Sequence, residues 1–253
     1  MKDKIKVGDE YIVFGNKCSY SIDMTSWTVK DETASHIYTL PSFIFKGGTC
    51  LRIFYGLGRA SEDLDFSTVL APSKVQEIVQ KSMAEFESLN LKHHLYAKKE
   101  HQGNIRIEAR FEGPLYNGSP SSTNTLKLDF NKRNVHCPLA KVIPKLFSDI
   151  PPFTLMILEE KEILIEKIRA MANRGESRDL YDIWILLQKG TKIDSPLLKK
   201  KMVEEKTDLS KMRFPSEEEY VQDLKNLISF VPPYAQVRSE VEKKIKELQR
   251  LEK

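Results

Sequence analysis

The sequence predicts an α+β protein in two parts, an α/β part over residues 1–150 and a helical part over residues 151–253. Three observations predict it. Residues 105–111 and 125–130 alternate apolar and polar with period two, as half-buried strands do. Residues 71–89 and 178–189 carry apolar side chains at helical spacing. The run Ile150-Pro151-Pro152-Phe153 breaks the chain between unlike halves.

In the first part, residues 42–46 form a short apolar run that ends at Gly47-Gly48, and residues 64–69 read as a second strand. Residues 71–89 follow as a helix with Val75, Ile78, Val79, Met83 and Phe86 on one side. The strand at 105–111 is followed by Gly113-Pro114 through Ser121-Ser122, a turn-rich, hairpin-like connection. Beyond it Leu126, Leu128 and Phe130 point one way, and Thr125, Lys127 and Asp129 the other. In the second part, a helix over 159–172 stops near Gly175. A helix over 178–189 carries a stripe of Leu180, Ile183, Trp184 and Leu187, with Gly190 as its stop. Ser216 with Glu219 has capping-box form and opens a helix to about Phe230, Pro232-Pro233 breaks it, and residues 236–253 read as a charged last helix. The lysines 199–201 and 243–244 read as solvated helix faces.

Composition narrows the function classes. Of 253 residues, 40% are apolar and 30% charged, which suits a globular chain with a sizeable core. No apolar run approaches the roughly 18 residues of a membrane helix, and the charged Met1–Lys6 segment lacks the apolar stretch of a signal peptide. A cytoplasmic, membrane-free protein is expected. Cys18, Cys50 and Cys137 stand far apart, and His136-Cys137 has no second ligand pair, which argues against a disulfide framework or structural zinc. The net charge of +4 permits contact with nucleic acid without requiring it.

The chemistry concentrates in Phe45-Lys46-Gly47-Gly48-Thr49-Cys50-Leu51-Arg52, followed by Arg59-Ala60-Ser61-Glu62-Asp63-Leu64-Asp65-Phe66. Asp63 and Asp65 are two apart, so a strand puts both on one face. Paired carboxylates repel unless a cation lies between them, and Mg²⁺ (or Mn²⁺) favours oxygen ligands shared with phosphates. Asp129 lies on the polar side of its own strand; if that strand pairs beside the first, three carboxylates converge on metal. Without side chains, Gly47-Gly48 lets backbone N–H groups approach phosphate oxygens, and a helix opening at Thr49 would turn its N-terminus to the anion. Lys46 and Arg59 are the nearby basic residues. Asp-x-Asp and Gly-Gly are each common in plain turns; it is their order and spacing together that point to an NTP site. Gly56-Leu57-Gly58 reads as a loop, since no Gly-x-Gly-x-x-Gly pattern follows a strand there.

Gly47-Gly48-Thr49, Asp63-x-Asp65 and Asp129 resemble the active-site pattern of the DNA-polymerase-β-like nucleotidyltransferase superfamily. Together with Glu166-Lys167-Ile168-Arg169-Ala170, Arg174 and Arg178-Asp179-Leu180-Tyr181-Asp182-Ile183-Trp184, they resemble the AbiEii/AbiGii toxin family of nucleotidyltransferases over roughly residues 40–190. The resemblance implies a nucleotidyltransferase core with a mixed β-sheet flanked by helices, then a helical domain that completes the nucleotide cleft. It implies metal-dependent transfer of an NMP group from an NTP to an acceptor hydroxyl. In toxin relatives that acceptor can be the 3′ end of tRNA. A cognate antitoxin and a role in phage defence or plasmid maintenance are also implied.

Residue by residue, the resemblance gives Asp63, Asp65 and Asp129 to metal, with Asp129 helping to deprotonate the acceptor. Gly47, Gly48 and Thr49 go to the triphosphate, and Lys167 is the helical lysine that reaches the nucleotide. Asp179 and Asp182 match the helical block, with Asp182 among the catalytic candidates; Lys46, Arg59, Ser61, Lys127, Arg178 and Asp179 are the further nucleotide-binding candidates. As i and i+3 neighbours, Asp179 and Asp182 share a face apart from the apolar stripe, free to point at a cleft; Arg178 and Asp182 are spaced for a surface ion pair. Residues 1–40, with Cys18-Ser19-Tyr20-Ser21, carry no recognisable motif, and the chain after about Gly190 lies outside the resemblance as well. A small-molecule nucleotidyltransferase and a non-catalytic nucleotide-binding module are the competing readings.

Overall fold

The computed structural model describes residues 2–7, 10–15, 28–30, 37–39, 42–88, 90–143 and 153–251. The Ile150-Pro151-Pro152 break and the Cys18–Ser21 stretch lie outside them. The chain forms two compact units: Met1–Cys50 with Glu62–Ile157, and Leu51–Ser61 with Leu158–Lys253.

The first unit is built on a mixed seven-stranded sheet. Two antiparallel pairs come first: β1 (Lys2–Val7) with β2 (Glu10–Gly15), and β3 (Thr28–Lys30) with β4 (Ile37–Thr39). The sheet itself comprises β5 (Ile44–Lys46), β6 (Asp63–Ser67), β7 (His93–His101), β8 (Asn104–Phe111), β9 (Asn124–Asn131), β10 (Pro138–Val142) and β11 (Thr154–Leu158). Its spatial order is β10-β11-β5-β6-β9-β8-β7. β6 runs parallel to β9 and antiparallel to β5, so the two aspartate-bearing strands are neighbours, as the convergence of Asp63, Asp65 and Asp129 requires.

Register sorts this sheet into two faces. Phe45, Phe66, Phe130 and Ile105 are successive cross-strand partners and form one apolar row. Phe66 stacks on Phe130 with ring centroids 5.2 Å apart. Against this face lies α2 (Pro72–Ser88), which buries Val75, Val79 and Met83 with Ile105, Ile107, Ala109 and Leu128. One residue along each strand, the partners are Lys46, Asp65, Asp129 and Arg106, a charged row on the opposite face. The packing that closes the core therefore also aligns the charged side chains.

β11 moves the expected boundary. Thr154–Leu158 is apolar, pairs parallel with β5 through Ile157 and Phe45, and is buried from Met156 to Leu158. The sheet accordingly claims the chain to Ile157 rather than to residue 150, and Leu51–Ser61 joins the second unit.

The second unit is helical. It holds α3 (Glu160–Asn173), α4 (Ser177–Gln188), α5 (Ser195–Glu204), α6 (Glu217–Leu224) and α7 (Tyr234–Leu251), together with the last turns of α1 (Gly47–Tyr55). α4 packs against α3, α6 and α7. Gly175 stops α3 with φ +66°, and a Cβ there would come within 2.7 Å of Arg213 Cβ. The predicted capping box at Ser216 is formed. α6 nevertheless ends at Leu224 instead of Phe230, and beyond it the Leu227 carbonyl accepts the Ala60 N–H at 2.8 Å.

Two expectations about burial change. Lys201 is not part of a solvated face; it is buried, with its ammonium 2.7 Å from Glu162 and 3.1 Å from Glu166. The buried side of α4 is Asp179, Leu180, Tyr181, Asp182, Ile183 and Leu186, while Trp184 and Leu187 are only half buried. Covered by three helices, α4 has no free face for the two aspartates. No helix among the described residues is long and apolar enough to cross a membrane.

Candidate active site

The phosphate-approach turn and the carboxylate strand meet inside the first unit. Gly47 opens α1 with φ +75°, a conformation that side chains rarely tolerate, and an added Cβ would lie 2.9 Å from both Cβ and Cγ of Asp65. The glycine is thus required by backbone angle and by the carboxylate at once. Gly48 and Thr49 are buried, and Thr49 Oγ1 donates to the Asp63 carbonyl at 2.6 Å, tying the helix start to β6. Gly47→Ala is expected to displace Asp65 and the first turn of α1, costing about 1–3 kcal/mol in urea unfolding. A Gly47→Ala protein as stable as the wild type would contradict this geometry.

Around this turn, Asp63 and Asp65 are half buried on the charged face of β6, and Asp129 is the direct register partner of Asp65. Arg106 donates to both oxygens of Asp129, from Nε at 2.6 Å and Nη2 at 2.8 Å. That hydrogen-bonded pair, with Asp63 and Asp65 close by, holds the guanidinium pKa above its ordinary value. Lys127 stands 3.7 Å from Asp63, and Lys46 is buried beside Asp65 on the adjacent strand. Ser61 is half buried at the end of the segment leading into β6.

Of the three carboxylates expected to converge on metal, Asp65 and Asp129 are direct neighbours across the strands, and Asp63 is on the same face of β6. Among the described residues no group of three or more His, Cys, Asp or Glu side chains is drawn together as a metal-holding cluster. Asp129 is held instead by Arg106, which donates to both of its oxygens. Asp63 and Asp65 remain two hard oxygen donors on one face, next to a glycine turn, a donor set that fits a divalent cation shared with phosphate. Arg106 itself was missed in the sequence. Its period-two position on the polar side of the 105–111 strand was the signal that could have found it.

The helical block folds into an ion network inside the second unit. Arg59 donates through Nε and Nη2 to the two oxygens of Asp182, at 2.6 and 2.7 Å. Lys167 bridges Asp179 and Asp182, at 2.8 Å from each, and Arg174 donates to Asp179 at 2.8 Å. Asp179 and Asp182 are fully buried, Arg59 nearly so, and the Lys167 side chain retains 12% exposure. Neither aspartate faces an open cleft, and Arg178 pairs loosely with Glu176 at 3.7 Å instead of with Asp182.

These charges shift one another. Burial alone would depress the Lys167 ammonium, but Asp182 and Asp179 outweigh it and raise its pKa above 10.5. Burial would likewise raise Asp179, yet Lys167 and Arg174 bring its carboxyl down from 3.8 to about 2. A carboxylate with a folded pKa below its unfolded one stabilises above the unfolded value, and the contribution disappears as pH falls through the folded value. Asp179 is therefore expected to lend about 2 kcal/mol to the helical unit at neutral pH, lost between about pH 4 and pH 2. Urea unfolding followed by circular dichroism at pH 5 and below would show this slope, and Asp179→Asn should flatten it. An unchanged slope in that variant would assign the acid sensitivity elsewhere.

Known structures resemble this chain in fold. MenT4, a nucleotidyltransferase toxin of Mycobacterium tuberculosis H37Rv, superposes with a TM-score of 0.57 at 20% identity, over 82% of this chain and 75% of its own. A Helicobacter pylori protein assigned to the nucleotidyltransferases gives 0.49 at 19% identity, over 83% and 87%. JHP933 of the same species gives 0.45 at 20% identity, over 84% and 90%. The likeness of fold rests on the first of these. No curated protein sequence matches the chain. The family described as nucleotidyl transferase AbiEii toxin, type IV toxin–antitoxin system, matches residues 33–247, well beyond the motif region on both sides. With a glycine turn, an aspartate-bearing strand pair and a helical lysine–aspartate block all inside that match, this chain belongs to the AbiEii family of nucleotidyltransferase toxins.

Proposed function

We propose that this nucleotidyltransferase moves an NMP group from an NTP to a hydroxyl at the 3′ end of an RNA, with tRNA as the leading acceptor and the cytoplasm as its setting. The observation that supports the reading most is the Asp65 carboxylate packed against Gly47, where the phosphate-approach turn opens α1. Backbone N–H groups of Gly47 and Gly48 would hold the triphosphate at the helix N-terminus, with Lys46 and Lys127 as nearby positive charges. A divalent cation, Mg²⁺ or Mn²⁺, held by Asp63 and Asp65 would supply charge neutralisation for the phosphates.

Asp129 would accept the proton of the acceptor hydroxyl as that oxygen bonds to the α-phosphorus. The bond from the α-phosphorus to the bridging oxygen then breaks, and pyrophosphate leaves with its electron pair. Arg106, which donates to both oxygens of Asp129, would hold that carboxylate in place. Lys167 would serve the nucleotide, as the family resemblance assigns it. Asp179, Asp182 and Arg59 fix its position as anchors, since none of the three is exposed enough to meet a substrate. Ser61 and Arg178 remain nucleotide-contact candidates by resemblance. The type IV toxin–antitoxin assignment of the family makes a cognate antitoxin the expected protein partner.

The test is label transfer from each α-labelled NTP to total tRNA, to unrelated RNA and to small hydroxyl compounds, with Mg²⁺ or with chelator. Metal-dependent labelling of tRNA 3′ ends supports the reading. Labelling confined to small molecules would replace the acceptor, and absence of transfer and of NTP binding would favour a binding module.

A further inference from the structure

The charged face of the sheet does not end at the carboxylates. It continues across β8 to the edge strand β7, and α2 covers only the opposite face. On this face Lys127 is followed across the strands by Glu108 and Tyr96, and Asp129 by Arg106. Tyr96 is 46% exposed on this charged face. Its ring carries the Arg110 guanidinium 5.0 Å from the centroid. Arg110 is fixed there by Glu108, with Nε donating at 2.7 Å, and Glu108 is buried. His94 is the cross-strand partner of Arg110 and lies 3.3 Å from Glu112.

A fixed ring, a guanidinium stacked on it, and Arg106 and Lys127 alongside make a combination suited to single-stranded nucleic acid: a flat surface for a base and cations for its phosphates. Asp129 and Glu108 each consume part of that charge in a local pair, which leaves the face moderately basic. From the β9 strand that carries Asp129 to the β7 strand that carries Tyr96 is two strand spacings, about 10 Å. A strand whose last hydroxyl sits at Asp129 would lay its preceding nucleotides over Arg106 and on to Tyr96.

We propose that this β7–β8–β9 face is the platform for the acceptor strand, with Tyr96 stacking a base near the 3′ end of a single-stranded RNA and Arg106, Arg110 and Lys127 meeting its phosphates. The proposal rests on RNA being the acceptor, as argued above. It assigns acceptor recognition first to Tyr96 and Arg110, which neither bind the triphosphate nor carry out the reaction.

The experiment is fluorescence anisotropy of the full chain with a short labelled single-stranded RNA, without NTP, comparing wild type, Tyr96→Ala and Tyr96→Phe. Tyr96→Ala is expected to weaken RNA binding about tenfold, while Tyr96→Phe keeps the ring and the affinity. Binding by the wild type should fall steeply as salt rises from about 50 to about 200 mM. Affinity for a fluorescent NTP analogue should be the same in all three proteins. Equal RNA affinity in Tyr96→Ala, or no binding by the wild type, overturns the platform. Tyr96-dependent binding without label transfer to any RNA would leave the platform standing and defeat the transfer reaction. Transfer with an unchanged RNA KM in Tyr96→Ala would do the reverse.

Discussion

Asp65→Asn is expected to abolish nucleotidyl transfer, by about 10³-fold or more, while the protein stays folded. The size follows from position. Asp65 packs against the glycine turn, and it sits between Lys46 and Asp129 in the charged row of the sheet. Asparagine keeps the shape but exchanges one acceptor oxygen for an NH₂ donor and removes the charge needed to hold a cation against a triphosphate. The apolar row beneath, from Phe45 to Phe130, is untouched, so thermal unfolding should stay close to wild type. Asp63→Asn should behave the same way, since its carboxylate faces Lys127 and its backbone anchors Thr49 regardless of the side chain. Label transfer measured beside a melting curve decides the matter. Transfer that survives Asp65→Asn would remove Asp65 from the reaction and with it the assigned phosphate site.

Asp182→Ala is expected to destabilise the helical unit by about 3–5 kcal/mol. The carboxylate is fully buried and receives both Arg59 hydrogen bonds and the Lys167 ammonium. Removing it strands the buried Arg59 guanidinium and leaves Lys167 with Asp179 alone, which is the costly way to break such a network. Replacing both ends by apolar residues of similar volume, Asp182→Leu with Arg59→Met, should recover much of the loss. Urea unfolding of the single and double variants separates anchoring from catalysis. A small stability change with complete loss of transfer would return Asp182 to the reacting groups, whereas a large change places it where the buried geometry does.

The sequence by itself determined the elements that carry the chemistry. Period-two alternation located β8 and β9, helical spacing and glycine stops located α2, α3 and α4, and Gly47-Gly48 with Asp63-x-Asp65 located the phosphate turn and the carboxylate strand. These are local signals, set by backbone geometry within a few residues, so they are readable in one dimension. The partners of each charge were decided only by tertiary structure. Arg106 meets Asp129 because β8 lies antiparallel to β9 in a particular register, and Arg59 meets Asp182 across 123 residues of chain. Lys201 and Asp179 look like surface charges at their own positions, and become buried because other helices cover them with counter-charges attached. Pairing and desolvation depend on which segments pack together, and spacing along the chain holds no record of that. For the same reason β11 joined the first unit: its apolar run finds β5 in space, not in sequence.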